Sequence, residues 1–170
     1  TSEQWQDFFS LALWTGARRG NVEAMKWEHI DLNNALWSIP GEEFKNGQAF
    51  KCVLSKPALE ILMRRKLDAT GGKYVFPANS KSGHVEEPKK AWKSILDRAG
   101  LENVRLHDLR RTLGSWEAAT GASLQVIGKT LGHRNQATTA IYSRLNLDPV
   151  KAAMDTATAA MLDAINGDEK

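Results

Sequence analysis

The sequence predicts a mainly α-helical domain with one small antiparallel β-sheet, an α+β fold. Residues 2–14 place apolar side chains at helical spacing, and that spacing returns from Ser55 to the C-terminal region. Residues 30–54 are instead rich in β-forming side chains and contain an Asn-Gly pair, which is typical of hairpins. With 170 residues, the chain is long enough for one domain with a substantial core.

The first third of the chain accounts for the sheet and two helices. The stretch "SEQWQDFFSLALW" predicts a helix that ends at Gly16, and a second, short helix is predicted at about residues 20–26. The segments "ALWSI" and "AFKCVL" are predicted strands joined through Lys45-Asn46-Gly47. We therefore expect two or three antiparallel strands between residues 30 and 54.

The remaining segments carry helix start and stop signals. Ser55 with Pro57 begins "SKPALEILMRRKLDA", and Gly100 ends "PKKAWKSILDRAG". "HDLRRTLGSWEAATG" predicts another helix; Ser123 and Asn135 are N-cap residues of "SLQVIGKTLGH" and "NQATTAIYSRL". "DPVKAAMDTATAAMLDAI" predicts a final helix, so helices dominate the fold.

Composition excludes several classes of protein. One cysteine, Cys52, rules out an internal disulfide framework and a cysteine-based zinc site. No apolar run reaches the length of a membrane span, and the polar N-terminus is unlike a signal peptide, so we expect a cytoplasmic protein. The net charge of +3 is compatible with a polyanionic partner. The missing initiator Met predicts that the chain is part of a longer protein.

Two arginine motifs are candidate anion sites. In "RLHDLRRT", His107 and Arg110 share one helix face, and a shared anion would relieve the repulsion between two potential cations. In "TGARRG", Arg18 and Arg19 follow a glycine at a helix start, where backbone amides favour anions. The alternatives are an exposed helix face and a solvated turn.

Lys45, His133 and Tyr142 complete the candidate set. Lys45 lies in the predicted hairpin, where a lysine either improves solubility or reaches into a nucleic-acid groove. His133 ends a helix, where it either complements the helix dipole or donates to an oxyanion. Tyr142 is either a core aromatic or a nucleophile. A phenol, with a pKa of about 10, attacks a phosphodiester only with cations, an acid and a base nearby.

The ordered motifs resemble the tyrosine recombinase (phage integrase) family. They are "TGARRGNVEAMKWEHID", "FKNGQAFKCVLS", "LHDLRRT" and "LGHRNQATTAIYSRL". The resemblance implies a catalytic domain of the DNA breaking-rejoining enzyme fold over residues 1–145, followed by a C-terminal helix and tail over residues 146–170. It also implies a bacterial or phage origin.

The resemblance assigns a role to each candidate residue. Tyr142 would attack the scissile phosphate and form a 3′-phosphotyrosyl link, while Arg18 and Arg110 clamp that phosphate. His133 would donate to a non-bridging oxygen and Lys45 would protonate the leaving 5′-oxygen. The sixth residue, His107, would assist as an acid or base.

The implied activity is site-specific DNA recombination without cofactor or metal. The partner would be double-stranded DNA, on which the full-length protein assembles as a tetramer, with no membrane association. A 5′-hydroxyl of a second strand would attack the phosphotyrosine, so the covalent link conserves the energy that rejoining needs.

Three features qualify the resemblance. Asn21 stands where family members commonly have an acidic residue, so the support of Arg18 is in doubt. The family's N-terminal DNA-clamping domain is expected to be absent from this chain. The helix from Asp148 resembles one that docks on a neighbouring protomer; in this chain alone we expect its apolar stripe to pack on its own domain.

Three alternative functions remain open at this point. A type IB topoisomerase-like enzyme would use the same tyrosine chemistry but reseal the same strand. A non-catalytic DNA-binding module would use the basic residues only to contact phosphates. A metal phosphohydrolase is suggested by His107 and Asp108, but His29 and His84 lack ligand spacing.

Overall fold

The protein folds as eight α-helices and three strands within the part of the chain that the structure describes. The structure is a computed structural model that describes residues 2–43, 47–69, 71–133, 135–144 and 148–167. Short 3-10 turns occupy Trp27–His29, Gly41–Glu43 and Ala140–Arg144. The elements in chain order are α1 (Glu3–Thr15), α2 (Arg19–Glu23), β1 (Ile30–Asp31), β2 (Leu36–Ile39), β3 (Phe50–Val53), α3 (Lys56–Asp68), α4 (Lys89–Ala99), α5 (Leu106–Ala119), α6 (Leu124–Leu131), α7 (Gln136–Thr139) and α8 (Asp148–Gly167). The predicted α+β class is confirmed.

The sheet is antiparallel, in the order β1-β2-β3. Trp37 pairs with both Ile30 and Cys52, and Ile39 pairs with Phe50. Trp37, Ile39 and Cys52 are buried, as strand alternation with one face on the core requires. The ladder ends at the Ile39–Phe50 pair, so the connection is longer than a two-residue turn; residues 44–46 lie outside the described part of the chain.

Helix ends follow the predicted signals. Gly100 and Gly132 adopt positive φ at the ends of α4 and α6, a conformation that glycine reaches without strain. The Ser123 hydroxyl accepts a hydrogen bond from the Val126 amide at the start of α6. Asn135 Oδ1 likewise accepts from the Ala137 amide at 2.8 Å. The helix predicted to follow Asn135 is short, because the chain tightens into a 3-10 turn at Ala140.

Two apolar clusters support the fold. The larger packs α1 against the sheet, α3 and residues 75–76, and includes edge-to-face contacts among Phe8, Phe9 and Phe76. The smaller consists of Ala118, Ile127, Leu131 and Tyr142. Gly16, at φ +58°, adjoins the smaller cluster, since a Cβ there would lie 2.8 Å from the Leu131 side chain. The turn between α1 and α2 is thus seated directly against the second cluster.

Helix α8 departs from the expected packing. Met154 and Met161, on the predicted apolar stripe, are more than half exposed. Every other α8 side chain that the structure describes is exposed as well. The expectation that this stripe packs on its own domain is therefore wrong for these residues, since nothing in the described chain covers them.

Among the described helices, none has the length and apolarity that crossing a membrane requires.

A buried carboxylate connects α1 to α3. Asp7 is 4% exposed and accepts hydrogen bonds from Arg64 at 2.5 Å and Arg65 at 2.9 Å. Arg65 also donates to the Val75 carbonyl and stacks on the Phe76 ring. Both carboxylate oxygens are satisfied, which burial of a charge requires. The pair fixes α1, whose C-terminal end leads into Arg18.

We expect Asp7→Ala to lower the free energy of unfolding by about 3 kcal/mol, because it leaves Arg65 without its buried counter-ion. Glu3→Ala, which removes the exposed partner of Arg64, is the matched control and should cost less than about 1 kcal/mol. Urea denaturation of both variants measures the difference. Equal losses of stability would show that the buried ion pairs of Asp7 contribute no more than the exposed pair of Glu3 with Arg64.

Candidate active site

Arg110 occupies the centre of the site and joins three segments. It lies on α5 and is only 6% exposed. Its Nη1 donates to the Gly16 carbonyl in the turn after α1, and its Nη2 donates to the Leu131 carbonyl at the end of α6. Burial, together with the charge of Arg18, lowers the pKa of Arg110 to about 10, so it stays cationic at neutral pH. One buried cation therefore sets the spacing of two other parts of the site.

Arg18 lies beside Arg110 at the N-cap of α2. Burial lowers its pKa, and its charge is in turn one cause of the lowered pKa of Arg110. Two neighbouring guanidinium groups repel each other, and an anion between them would relieve that repulsion. The pair is thus suited to a phosphate group, whose oxygens match the planar donors of arginine.

A cavity adjoins Arg110. It measures about 300 Å³ and is lined by Ala17, Arg19, His107 and Arg110 among others. Its lining includes both a buried guanidinium and an imidazole. A phosphate oxygen could approach Arg110 from this side while the carbonyl bonds of Arg110 stay in place.

His107 lies in the first turn of the same helix, three residues before Arg110. Its pKa is lowered, first by burial and then by the charges of Arg110 and Arg111. The imidazole is therefore neutral at pH 7 and able to accept a proton. This state suits a base better than an acid.

The neighbouring residue, Asp108, forms hydrogen bonds and ion pairs that cap the start of α5. Its carboxylate accepts from the Arg105 amide at 2.9 Å and pairs with the side chains of Arg105 and Arg111. The described residues contain no group of three or more His, Cys, Asp or Glu side chains placed to hold a metal. Asp108 is therefore a helix cap beside a cationic site, and the metal phosphohydrolase alternative gains no support from it.

His133 follows α6 and is oriented by a hydroxyl. The α6 end closes through Gly132, and the His133 amide donates to the Gly128 carbonyl at 2.9 Å. On the side chain, Nδ1 lies 2.9 Å from Thr139 Oγ1. Burial, followed by the charges of Arg110, Arg18 and His107, lowers the pKa of His133 to about 4. The ring is thus neutral at pH 7 and has one N–H to donate.

Tyr142 is a core aromatic in this structure and also a neighbour of the cations. Its side chain is 5% exposed and packs on α5 at Gly114, where a Cβ would lie 2.7 Å from Tyr142 Cζ and 2.9 Å from its hydroxyl. Burial raises the pKa of the phenol, and the charges of Arg110 and Arg111 oppose that rise. Tyr142 is therefore protonated at pH 7 and needs a base to react.

Arg110 interacts with four of the other candidate residues, so the structure brings together five of the six singled out in the sequence: Arg18, His107, Arg110, His133 and Tyr142. Lys45 lies in the segment 44–46, outside the described residues, so its placement stays a prediction. Sequence reasoning missed Thr139, which is 1% exposed and contacts His133, and Gly114, which makes room for Tyr142. The sequence offers no signal that separates Thr139 from its neighbour Thr138, because only packing determines which of the two is buried.

Comparison with known proteins decides the family. The sequence profile of the phage integrase family matches residues 2–148. This chain belongs to the phage integrase family. The resemblance inferred from four motifs is confirmed, and the helical fold with its small sheet is the one expected for such a domain.

Individual phage integrase relatives support the same assignment. The integrase of Salmonella phage P22 is 31% identical over 137 residues, which are 74% of this chain and 35% of that protein. The shufflon-specific DNA recombinase of Escherichia coli is 30% identical over 148 residues, 86% of this chain and 36% of that protein. This chain thus spans about a third of the length of these relatives.

A solved structure shares the fold. The Tn1549 transposon integrase, in complex with a circular intermediate DNA, superimposes with a TM-score of 0.75 at 14% identity. The match covers 88% of this chain and 57% of the solved Tn1549 chain. At that identity the likeness establishes the fold alone.

The structural role of Arg110 leads to a stability prediction. Arg110→Lys should lower the free energy of unfolding by about 3 kcal/mol, since an ammonium cannot keep both charge-assisted bonds to Gly16 and Leu131. Arg111→Lys is the matched control on the same helix; Arg111 is 51% exposed, and the change should cost less than about 1 kcal/mol. Chemical denaturation compares them, and an unchanged Arg110→Lys midpoint would contradict the bridging role.

Proposed function

We propose that this chain is the catalytic domain of a site-specific DNA recombinase that cuts and rejoins strands through a 3′-phosphotyrosyl intermediate. The observation that carries the proposal is the convergence of Arg18, His107 and His133 on Arg110, which also interacts with Tyr142. Double-stranded DNA is the proposed partner. The Tn1549 integrase with the same fold is in complex with DNA, and one relative is a DNA recombinase.

The cleavage step follows from the states of these groups. The Tyr142 oxygen attacks phosphorus, a P–O bond forms, and the bond to the 5′-oxygen breaks. The phenol proton passes to His107, which is neutral at pH 7 because burial and neighbouring arginines lower its pKa. Lys45 supplies the proton to the leaving 5′-oxygen. Arg18 and Arg110 stabilise the extra negative charge on the phosphate oxygens, and His133 donates its N–H to one of them.

Rejoining reverses this step with a different strand. A 5′-hydroxyl of the partner strand attacks the phosphotyrosine, and the Tyr142 oxygen leaves and recovers a proton. The number of phosphodiester bonds is unchanged, so the exchange needs no nucleotide cofactor. The relatives are an integrase and a DNA recombinase, which favours strand exchange over topoisomerase-like relaxation or non-catalytic binding.

Tyr142 has to move out of its buried position to reach a DNA phosphate. Its side chain is 5% exposed and rests on Gly114, so attack requires a shift of the 3-10 turn Ala140–Arg144. Exposing an aromatic ring of this size costs about 2 kcal/mol. Contacts with DNA would have to offset that cost.

Assembly of several protomers on DNA is also proposed. Recombination joins two duplexes, and the family resemblance assigns the contact between protomers to the C-terminal helix. The exposure of Met154 and Met161 on α8 is consistent with that assignment. The tetramer itself stays a prediction.

The nucleophile is tested by trapping a covalent adduct. We expect the protein to become attached to nicked duplexes drawn from a random-sequence library, because a nick lets the cleaved 5′-fragment diffuse away. Tyr142→Phe should remove the adduct on a denaturing gel while leaving DNA binding nearly unchanged. Tyr74→Phe alters the other tyrosine of the chain and should not affect trapping. An adduct that persists in Tyr142→Phe would identify a different nucleophile.

The role of Lys45 is tested with a sulfur leaving group. Lys45→Ala should slow cleavage of a normal 5′-oxygen by about 100-fold, the range of general acid catalysis. Cleavage of a 5′-bridging thio-substituted phosphodiester should slow far less, because a thiolate leaves without protonation. Lys51→Ala, on β3, is the control and should affect both substrates alike. Equal slowing by Lys45→Ala would reduce this residue to a DNA contact.

A further inference from the structure

The contact between Thr139 and His133 is not accounted for by the six-residue set. Thr139 ends α7 and is 1% exposed, and its Oγ1 lies 2.9 Å from His133 Nδ1. Its neighbour Thr138 is exposed. Two adjacent threonines therefore stand in opposite environments, and the buried one places its hydroxyl on a site histidine.

The position of the Thr139 hydroxyl is fixed by close packing. A Cβ at Gly128 would lie 3.2 Å from Thr139 Oγ1, so the glycine on α6 leaves the space that the hydroxyl side occupies. A β-branched side chain has few accessible χ1 rotamers, and burial restricts them further. Thr139 is thus a rigid partner for the imidazole.

The hydrogen bonds that a neutral imidazole can make determine which nitrogen of His133 is able to donate to a phosphate. A neutral imidazole has one N–H and one lone pair. Nδ1 is occupied by Thr139, so Nε2 is the nitrogen left for a ligand. To donate from Nε2, the ring must carry its proton there, and Nδ1 must then accept. Only a hydroxyl that donates to Nδ1 satisfies both conditions.

We propose that Thr139 is a positioning residue whose hydroxyl donates to His133 Nδ1, which holds the ring in the Nε2–H tautomer with Nε2 available to a phosphate oxygen. The inference rests on the proposed function for its catalytic consequence, and on the Thr139–His133 contact alone for the tautomer. Thr139 also lies three residues before Tyr142. The segment that carries the proposed nucleophile therefore also carries the hydroxyl that orients His133.

Three variants separate hydrogen bonding from packing. Thr139→Val keeps the shape and removes the hydroxyl. Thr139→Ser keeps the hydroxyl and removes the buried methyl group. Thr138→Val makes the same change as the first variant at the exposed neighbour.

The first measurement uses the free protein without DNA. Long-range ¹H–¹⁵N spectra of His133 should show the Nε2–H tautomer with Nδ1 unprotonated in the wild type, in Thr139→Ser and in Thr138→Val. Thr139→Val should change the Nδ1 shift, because that nitrogen loses its donor. A proton on Nδ1 in the wild type would overturn the proposal, as would an unchanged Nδ1 shift in Thr139→Val.

The second measurement is the single-turnover rate of adduct formation on the nicked duplexes. Thr139→Val should slow it by about tenfold, the effect of losing one hydrogen bond of about 1.4 kcal/mol. Thr139→Ser should stay within about threefold and Thr138→Val should match the wild type. If Thr139 only fills space, the order reverses, because serine loses the methyl group and valine does not.

A double-mutant cycle shows whether the effect passes through His133. In a His133→Gln background, Thr139→Val should cause no further slowing, whereas additive losses would contradict a role exerted through the imidazole. Failure of the wild type to form any adduct would defeat the proposed recombinase function. The tautomer measurement would still stand or fall by itself, so the two failures are distinguishable.

Discussion

The two hydrogen bonds that Arg110 donates to backbone carbonyls are the constraint on which the site depends. Gly16 lies two residues before Arg18, and Leu131 lies two residues before His133. A single guanidinium therefore fixes, through the backbone, where the second arginine and a histidine stand. The planar fork of arginine bridges two acceptors in this way, and its remaining N–H groups are still able to face a ligand.

This arrangement places positive charge where it is costly. Burial and the nearby charge of Arg18 lower the pKa of Arg110. Burial, followed by the charge of Arg110, lowers the pKa of both histidines and keeps them neutral at pH 7. The fold maintains this unfavourable proximity because packing at Gly16 and the Asp7 pair hold α1 in place. A bound phosphate would relieve the repulsion, so the cost of assembling the site becomes affinity for an anion.

Local patterns in the sequence predicted the helices and the sheet, and they singled out five side chains that interact in the structure. Caps such as Ser123 and Gly100 act within a few residues of their helix, so sequence alone indicates them. The packing of Tyr142 on Gly114 and the hydrogen bond between Thr139 and His133 depend on how α5, α6 and α7 pack. No local sequence pattern specifies that packing. The exposed stripe of α8 was misjudged for the same reason, because periodicity shows an apolar face but not what covers it.

The double role of Tyr142 has a kinetic consequence if it is the nucleophile. A buried, protonated phenol is held about 2 kcal/mol below its exposed state, which lowers the population of the reactive conformation about 30-fold. A 30-fold lower population is small beside the rate enhancements of enzymes, so the buried position of Tyr142 does not prevent catalysis. It does make cleavage depend on whatever moves the 3-10 turn. Because Thr139 lies just before this turn and contacts His133, a movement of the turn that exposes Tyr142 would also alter the contact that orients the proposed donor.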